Sequence, residues 1–192
     1  MQHALRRTGS WRTALLTAVV GIAMLALVAS SAQAKVVKVT GESATVTPSA
    51  DLTTFLSDHH VSVGAIAPAT LDNGALTLPI VNGRVNTKNL HGVLALGGGI
   101  TVSKGKRSLD LRRVIVANRA HGAFVSAKVG QRRMIVARLT NRSVDVEGSS
   151  ATVSADLNLS RAAANRINRV AGKHLVSAGA LLGSATATVT TG

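Results

Sequence analysis

Between His91 and Lys106 the chain reads HGVLALGGGITVSKGK, three consecutive glycines between apolar runs with a lysine cluster behind them. Glycines ahead of a lysine are one way to cradle a phosphate, because backbone amides and a following helix N-terminus both favour an anion. The spacing argues against that chemistry. A phosphate loop takes four residues before its Gly-Lys-Ser/Thr ending, whereas five residues separate Gly99 from Gly105, and Arg107 follows Lys106. No helical pattern comes after it, so no helix dipole is available, and a dinucleotide fingerprint fails on the same ground. The stretch instead predicts sheet, with Gly97 to Gly99 as a bend or bulge between consecutive strands. Val93, Ala95, Ile100 and Val102 then lie in paired strands, and Lys104-Gly105-Lys106 is a hairpin tip.

The histidines after the first 34 residues are His59, His60, His91, His121 and His174. No pair has the i, i+4 spacing of a helical metal site, and the chain has no cysteine, so no metal centre is called. A Gly-x-Ser-x-Gly elbow is absent and the eight carboxylates are scattered. Neither nucleophilic nor paired acid/base catalysis is indicated, so no catalytic residue is assigned and the chain reads as a non-enzyme.

Charge is the firmer signal. Lys104, Lys106, Arg107, Arg112 and Arg113 crowd one predicted hairpin; Arg119, Lys128, Arg132, Arg133 and Arg138 follow on the next strands. From Lys104 to Arg138 only Asp110 is acidic. Neighbouring hairpins of this kind would present an anion-binding face of Lys104, Lys106, Arg107, Arg112, Arg113, Arg132, Arg133 and Arg138. Nucleic acid is the usual partner of such charge. Export and the scarcity of aromatic side chains to stack on bases turn the reading towards an anionic cell-envelope polymer, lipid headgroups or an acidic protein.

The elements that must position these residues are legible in part. Arg6, Arg7 and Arg12, an apolar run from Ala14 to Val28 and the close Ala32-Gln33-Ala34 form a secretory signal peptide over residues 1–34. The alternative is an uncleaved anchor, since the run is almost long enough to span a bilayer. Residues 35–192 form a single domain with 19 basic and 8 acidic side chains, net +11. Phe55 and Phe124 are its only aromatic residues besides histidine, so Val, Leu, Ile and Ala must fill the core. Alternating runs such as Leu76-Thr77-Leu78, Ala151 to Leu159 and Ala185 to Val189 predict half-buried strands, separated by Asn-Gly and Gly-rich turns. The fold class is all-β, an antiparallel sandwich or barrel, with two short helices. Ser49 or Asp51 caps the first, with Leu52, Phe55 and Leu56 on one face. Ser160 caps the second, Arg161 to Ala171, with Ala163, Ile167 and Val170 inward and Gly172 as the stop.

A wider pattern runs through the chain. Gly74-Ala75-Leu76-Thr77-Leu78-Pro79-Ile80, Gly83-Arg84-Val85, Leu90-His91-Gly92, Gly97-Gly98-Gly99-Ile100 and Leu109-Asp110-Leu111 resemble the paired-strand progression of secreted actinobacterial proteins of the HtaA-like class. Ile167 to Gly172 and Ala178 to Thr186 resemble that class's closing segment, so the likeness covers roughly residues 45 to 190. The resemblance implies a β-rich extracellular domain and, in corynebacterial members, haem capture through a tyrosine with a histidine near it. This chain has no tyrosine. Where many relatives place His-Ser before the double glycine it has Leu96-Gly97, and His91 is not the matching position. Haem on this chain would be held by a histidine, His91 or His121, with cationic side chains on its propionates. From the residues alone no cofactor is called. The leading expectation is a secreted or envelope-associated binding or structural protein with a basic face; haem binding is the alternative. The basic face predicts that binding of residues 35–192 to isolated cell walls weakens steeply with added salt, and less steeply once Arg112, Arg113, Arg132 and Arg133 are alanine. Salt-insensitive binding in a pull-down would remove the electrostatic reading.

Overall fold

The computed structural model describes residues 36–86, 91–147, 149–172 and 175–191; residues 1–34, read from the sequence as a leader, lie outside them. The chain begins with strand β1 (Val36–Pro48) and helix α1 (Ala50–Asp58), followed by β2 (Ser62–Ile66), β3 (Thr70–Asp72), β4 (Ala75–Asn86) and β5 (Gly92–Leu96). It continues through β6 (Gly99–Lys104), β7 (Arg107–Arg119), β8 (Gly122–Val129), β9 (Arg132–Glu147) and β10 (Ser150–Leu159) to α2 (Arg161–Ala171) and β11 (Leu181–Thr191). All pairings are antiparallel. Eight strands close on themselves in the order β7-β5-β4-β1-β11-β10-β9-β8, with β8 returning to β7. The expected sandwich or barrel is thus an eight-stranded antiparallel barrel, with β6 and β2 added beyond the first half of β7, and β3 on the start of β4. Closure pairs the ladder groups that an open sheet would leave exposed at its edges.

One aliphatic cluster fills the ring. Ala44, Leu76, Leu78, Leu96, Leu109, Leu111, Val114 and Ala127 are buried in it, joined by Val136 and Ala187. Its members come from seven of the eight ring strands, and residues on opposite sides of a ring meet only across its interior. Leu78, 2% exposed, contributes roughly 2–3 kcal/mol by burial. The alternate residues face outward. There Ser143, Ser154, Thr186, Thr45, Thr77 and Thr70 stand opposite one another across six successive strands. The hydroxyls of Ser154 and Thr186 lie 3.3 Å apart and those of Thr45 and Thr77 3.5 Å. β-Branched threonines suit such a pleated, half-wet surface.

Both helices sit at the end of the barrel where β1 and β10 finish. Ser49, not Asp51, caps α1, its Oγ accepting from Leu52 N at 3.2 Å. Ser160 caps α2 by accepting from Ala163 N at 3.1 Å, and donates to Ile135 O at 2.6 Å. Gly172 ends α2 in a left-handed conformation, φ 78°. Leu56 of α1 and Ile167, Val170 and Ala171 of α2 pack on the main cluster, while Ala163 and Ala164 close a smaller one with Leu159. No helix among the described residues is long and apolar enough to cross a membrane.

The glycine run bends the chain between β5 and β6, as expected, and a strand follows it. These two strands do not pair with each other; each pairs with β7, Leu94 opposite Val116 and Ile100 opposite Leu111. Gly98 has φ +77°, and a Cβ there would overlap the Ile66 carbonyl oxygen and lie 2.5 Å from Ala69 N. Gly105, at the β6–β7 hairpin tip, has φ +57° with open space around it. Left-handed backbone alone costs a β-carbon roughly 1–3 kcal/mol. Gly98→Ala is therefore expected to lower the urea midpoint more than Gly105→Ala; equal losses would show that the close approach to the β2–β3 connection contributes nothing.

Candidate functional site

Register brings the two singled-out histidines to one end of the barrel. β5 lies between β4 and β7, with Gly92 opposite both Val85 and Asn118. His91, one residue earlier, therefore stands beside the end of β7, and its carbonyl accepts from Asn86 N at 2.8 Å. β7 turns into β8 just beyond, Arg119 opposite Gly122, with Ala120 and His121 at the tip. This end is the one opposite the helices. His91 is half-buried and His121 exposed. The Arg119 guanidinium lies 5.8 Å from the Phe124 ring centroid, a cation–π contact on the outer surface. Arg142 Nη1 donates to Asn118 Oδ1 at 2.8 Å. His59 is elsewhere, at the C-cap of α1, edge-on to Phe55 with centroids 4.7 Å apart; His174 lies outside the described residues. Among the described residues no three His, Asp or Glu side chains converge to hold a metal ion.

The predicted cationic residues are not gathered on one face. Successive strand residues point to opposite sides, and the side chains divide accordingly. Arg107 turns to α2, where Nη1 donates to the Arg169 carbonyl at 3.2 Å and serves the helix C-terminus. Lys104 stands opposite Arg107 across the hairpin and Lys106 lies at its tip. Arg132 is opposite Val129 at the next hairpin, and Arg138 is further along β9, opposite Phe124. What register does unite is Arg112, Lys128 and Arg133, directly opposite one another on β7, β8 and β9. Arg113 adjoins them at a bulge in β7, with φ +50°.

One of these four, Arg112, is paired with a carboxylate. Asp110 accepts from Thr101 Oγ1 at 2.8 Å and from Arg112 Nε and Nη2 at 3.3 and 3.0 Å. Arg133 is pinned by donation to Ser126 Oγ at 3.1 Å and to the Arg113 carbonyl at 3.0 Å. Lys128 was not among the residues first assigned to the anion-binding face, although its position was legible. A two-residue turn at Gly130-Gln131 fixes Val129 opposite Arg132 and so Lys128 opposite Arg133. Thr101 carried no such signal. The Thr101 hydroxyl, then Arg112, hold the Asp110 carboxyl below its usual range. Its folded-state pKa is depressed, so its contribution to stability is full above the unfolded value of about 3.9 and is lost as pH falls through the lower folded value. The stability difference between wild type and Asp110→Asn should be flat near neutrality and shrink only below pH of about 4; a difference that is unchanged down to acid unfolding would remove the charged contact.

Comparison with known proteins locates the fold. No family model matches the chain, and no curated protein does. Among solved structures, the C-terminal domain of HtaA from Corynebacterium glutamicum superposes with a TM-score of 0.64 at 17% identity, over 81% of this chain and 99% of that one. A domain-swapped dimer of a histidine-to-alanine variant of the same domain gives 0.56 at 16% identity, over 74% of this chain and 92% of that one. HtaB from the same organism, described as a heme binding protein, gives 0.51 at 14% identity, over 83% of this chain and 98% of that one. The chain thus has the HtaA-like β-barrel fold.

Proposed function

We propose that this chain is an exported, non-enzymatic binding domain whose cargo is haem, taken at the barrel end where β5 begins and β7 turns into β8. The observation that carries the reading is the approach of His91 and His121 to one end of a barrel shared with a heme binding protein. The donor types suit the ligand. Imidazole is a competent axial ligand of haem iron, and the chain has no tyrosine or cysteine to take that role. Arg119, two residues before His121, supplies a guanidinium for a propionate, and Phe124 lies beneath it as an aromatic surface. The comparisons support haem, the alternative drawn from the sequence, and lend nothing to a broad basic face for envelope polymers, lipid headgroups or an acidic protein. Those partners rest on charge alone.

Titration of residues 35–192 with hemin tests the reading. A saturable Soret shift is expected, lost in His91→Ala or His121→Ala and restored in neither case by a phenylalanine, which keeps a ring but offers no nitrogen. Absence of a shift in the wild-type protein, or a shift that survives both alanine replacements together, would overturn it.

A further inference from the structure

The row Arg112–Lys128–Arg133 is an electrostatic anomaly. Like charges directly opposite on neighbouring strands destabilise a sheet, and here three cations adjoin in register across β7, β8 and β9. Asp110, the acid beside them, already accepts from Thr101 and Arg112. Arg133 spends its donors on Ser126 and the Arg113 carbonyl. Lys128 is half-buried, and no hydrogen bond or ion pair reaches its ammonium among the described residues. An ammonium drawn partly out of water between two guanidinium groups is unfavourable unless an anion joins it.

The surface at this point is concave. Asp110, Arg112, Arg113, Lys128, Gly130 and Gln131 line a cavity of about 330 Å³. Three of the six are cations and one is an acid, so the lining carries net charge +2. The bulge at Arg113 and the left-handed Gly130, φ +58°, fix the backbone on two sides. Guanidinium groups match the oxygens of a tetrahedral anion as paired donors, and an ammonium adds a compact charge beside them.

We propose that this cavity is a binding site for a phosphate group, free or carried on a headgroup, held by Arg112, Arg113 and Lys128. It is separate from the histidine end of the barrel and does not depend on haem binding. Arg112 donates to Asp110 and to the phosphate in turn, Lys128 gains its missing counter-charge, and Asp110 opposes the anion by repulsion. That repulsion gives the site a signature that general surface charge lacks, because removing the acid should tighten binding.

Amide spectra of the 35–192 domain, titrated with inorganic phosphate against chloride at equal ionic strength, read the site directly. Gly130 and Gln131 are expected to shift saturably with phosphate and not with chloride. Lys128→Met keeps the aliphatic stem and should weaken binding about tenfold. Asp110→Asn should strengthen it roughly threefold. Phosphate-displaceable binding to phosphatidylglycerol vesicles, with none to phosphatidylcholine, would make a headgroup the source; phosphate binding without vesicle binding would make it a free ligand. Unmoved Gly130 and Gln131 signals, or an Asp110→Asn protein that binds phosphate more weakly while retaining its far-UV spectrum, would overturn the proposal.

Discussion

An eight-stranded ring must be filled from within, and this chain fills it almost without aromatic side chains. Leu76, Leu78, Leu96, Leu109 and Leu111 span the interior, with fully buried alanines such as Ala127 and Ala137 among the strands. Small aliphatic groups leave the open end of the ring uncovered, and the helices supply what is missing. Ile167, Val170 and Ala171 of α2 and Leu56 of α1 are the lid of that core. Their caps matter for the same reason. Ser160 joins α2 to β9 through the Ile135 carbonyl, so the lid is anchored by a hydrogen bond as well as by packing.

With one end plugged, the barrel becomes polar in its organisation. The helix-bearing end is apolar beneath and cationic on its outer flank, whereas the opposite end carries His91 and His121. Between them the outer wall over β10 and β11 carries rows of threonine and serine in cross-strand contact. The cations are thus divided by strand alternation rather than spread. Some serve the fold, as Arg107 does at the end of α2; others are held on the outside with one acid among them.

Local chemistry made much of this legible. The Ala-Thr alternation of 185–189 and the Leu-Thr-Leu of 76–78 each mark a strand with one dry face, and both lie in the barrel wall. Serine at 160 and glycine at 172 bracket a helix because each satisfies backbone groups that the helix cannot, and α2 has those bounds. Ring closure left no comparable trace. Nothing near Val39 in the sequence says that its neighbour is Thr191, because pairing is decided by burial of the whole ring. The cationic residues show the same limit: proximity along the chain suggested one face, while bulges at Arg113 and near Asn141 shift register and redistribute the side chains. Hairpin neighbours could be counted from a turn; partners across a bulge could not.

The seam between β1 and β11 has a kinetic side. Pro48 pairs with Gly183 and Val39 with Thr191, so the first strand of the barrel waits for the last. Loop closure over such a separation carries an entropic cost that no contact offsets until the seam forms, and topologies dominated by distant pairings fold in the range of about milliseconds to seconds. Until then β1 and β11 each present an unpaired edge, one held by β4 and the other by β10. An edge that waits can be met by the corresponding edge of another chain. Whether this barrel closes on itself or on a neighbour is therefore a contest of rates, set by chain concentration during the interval before its two ends meet.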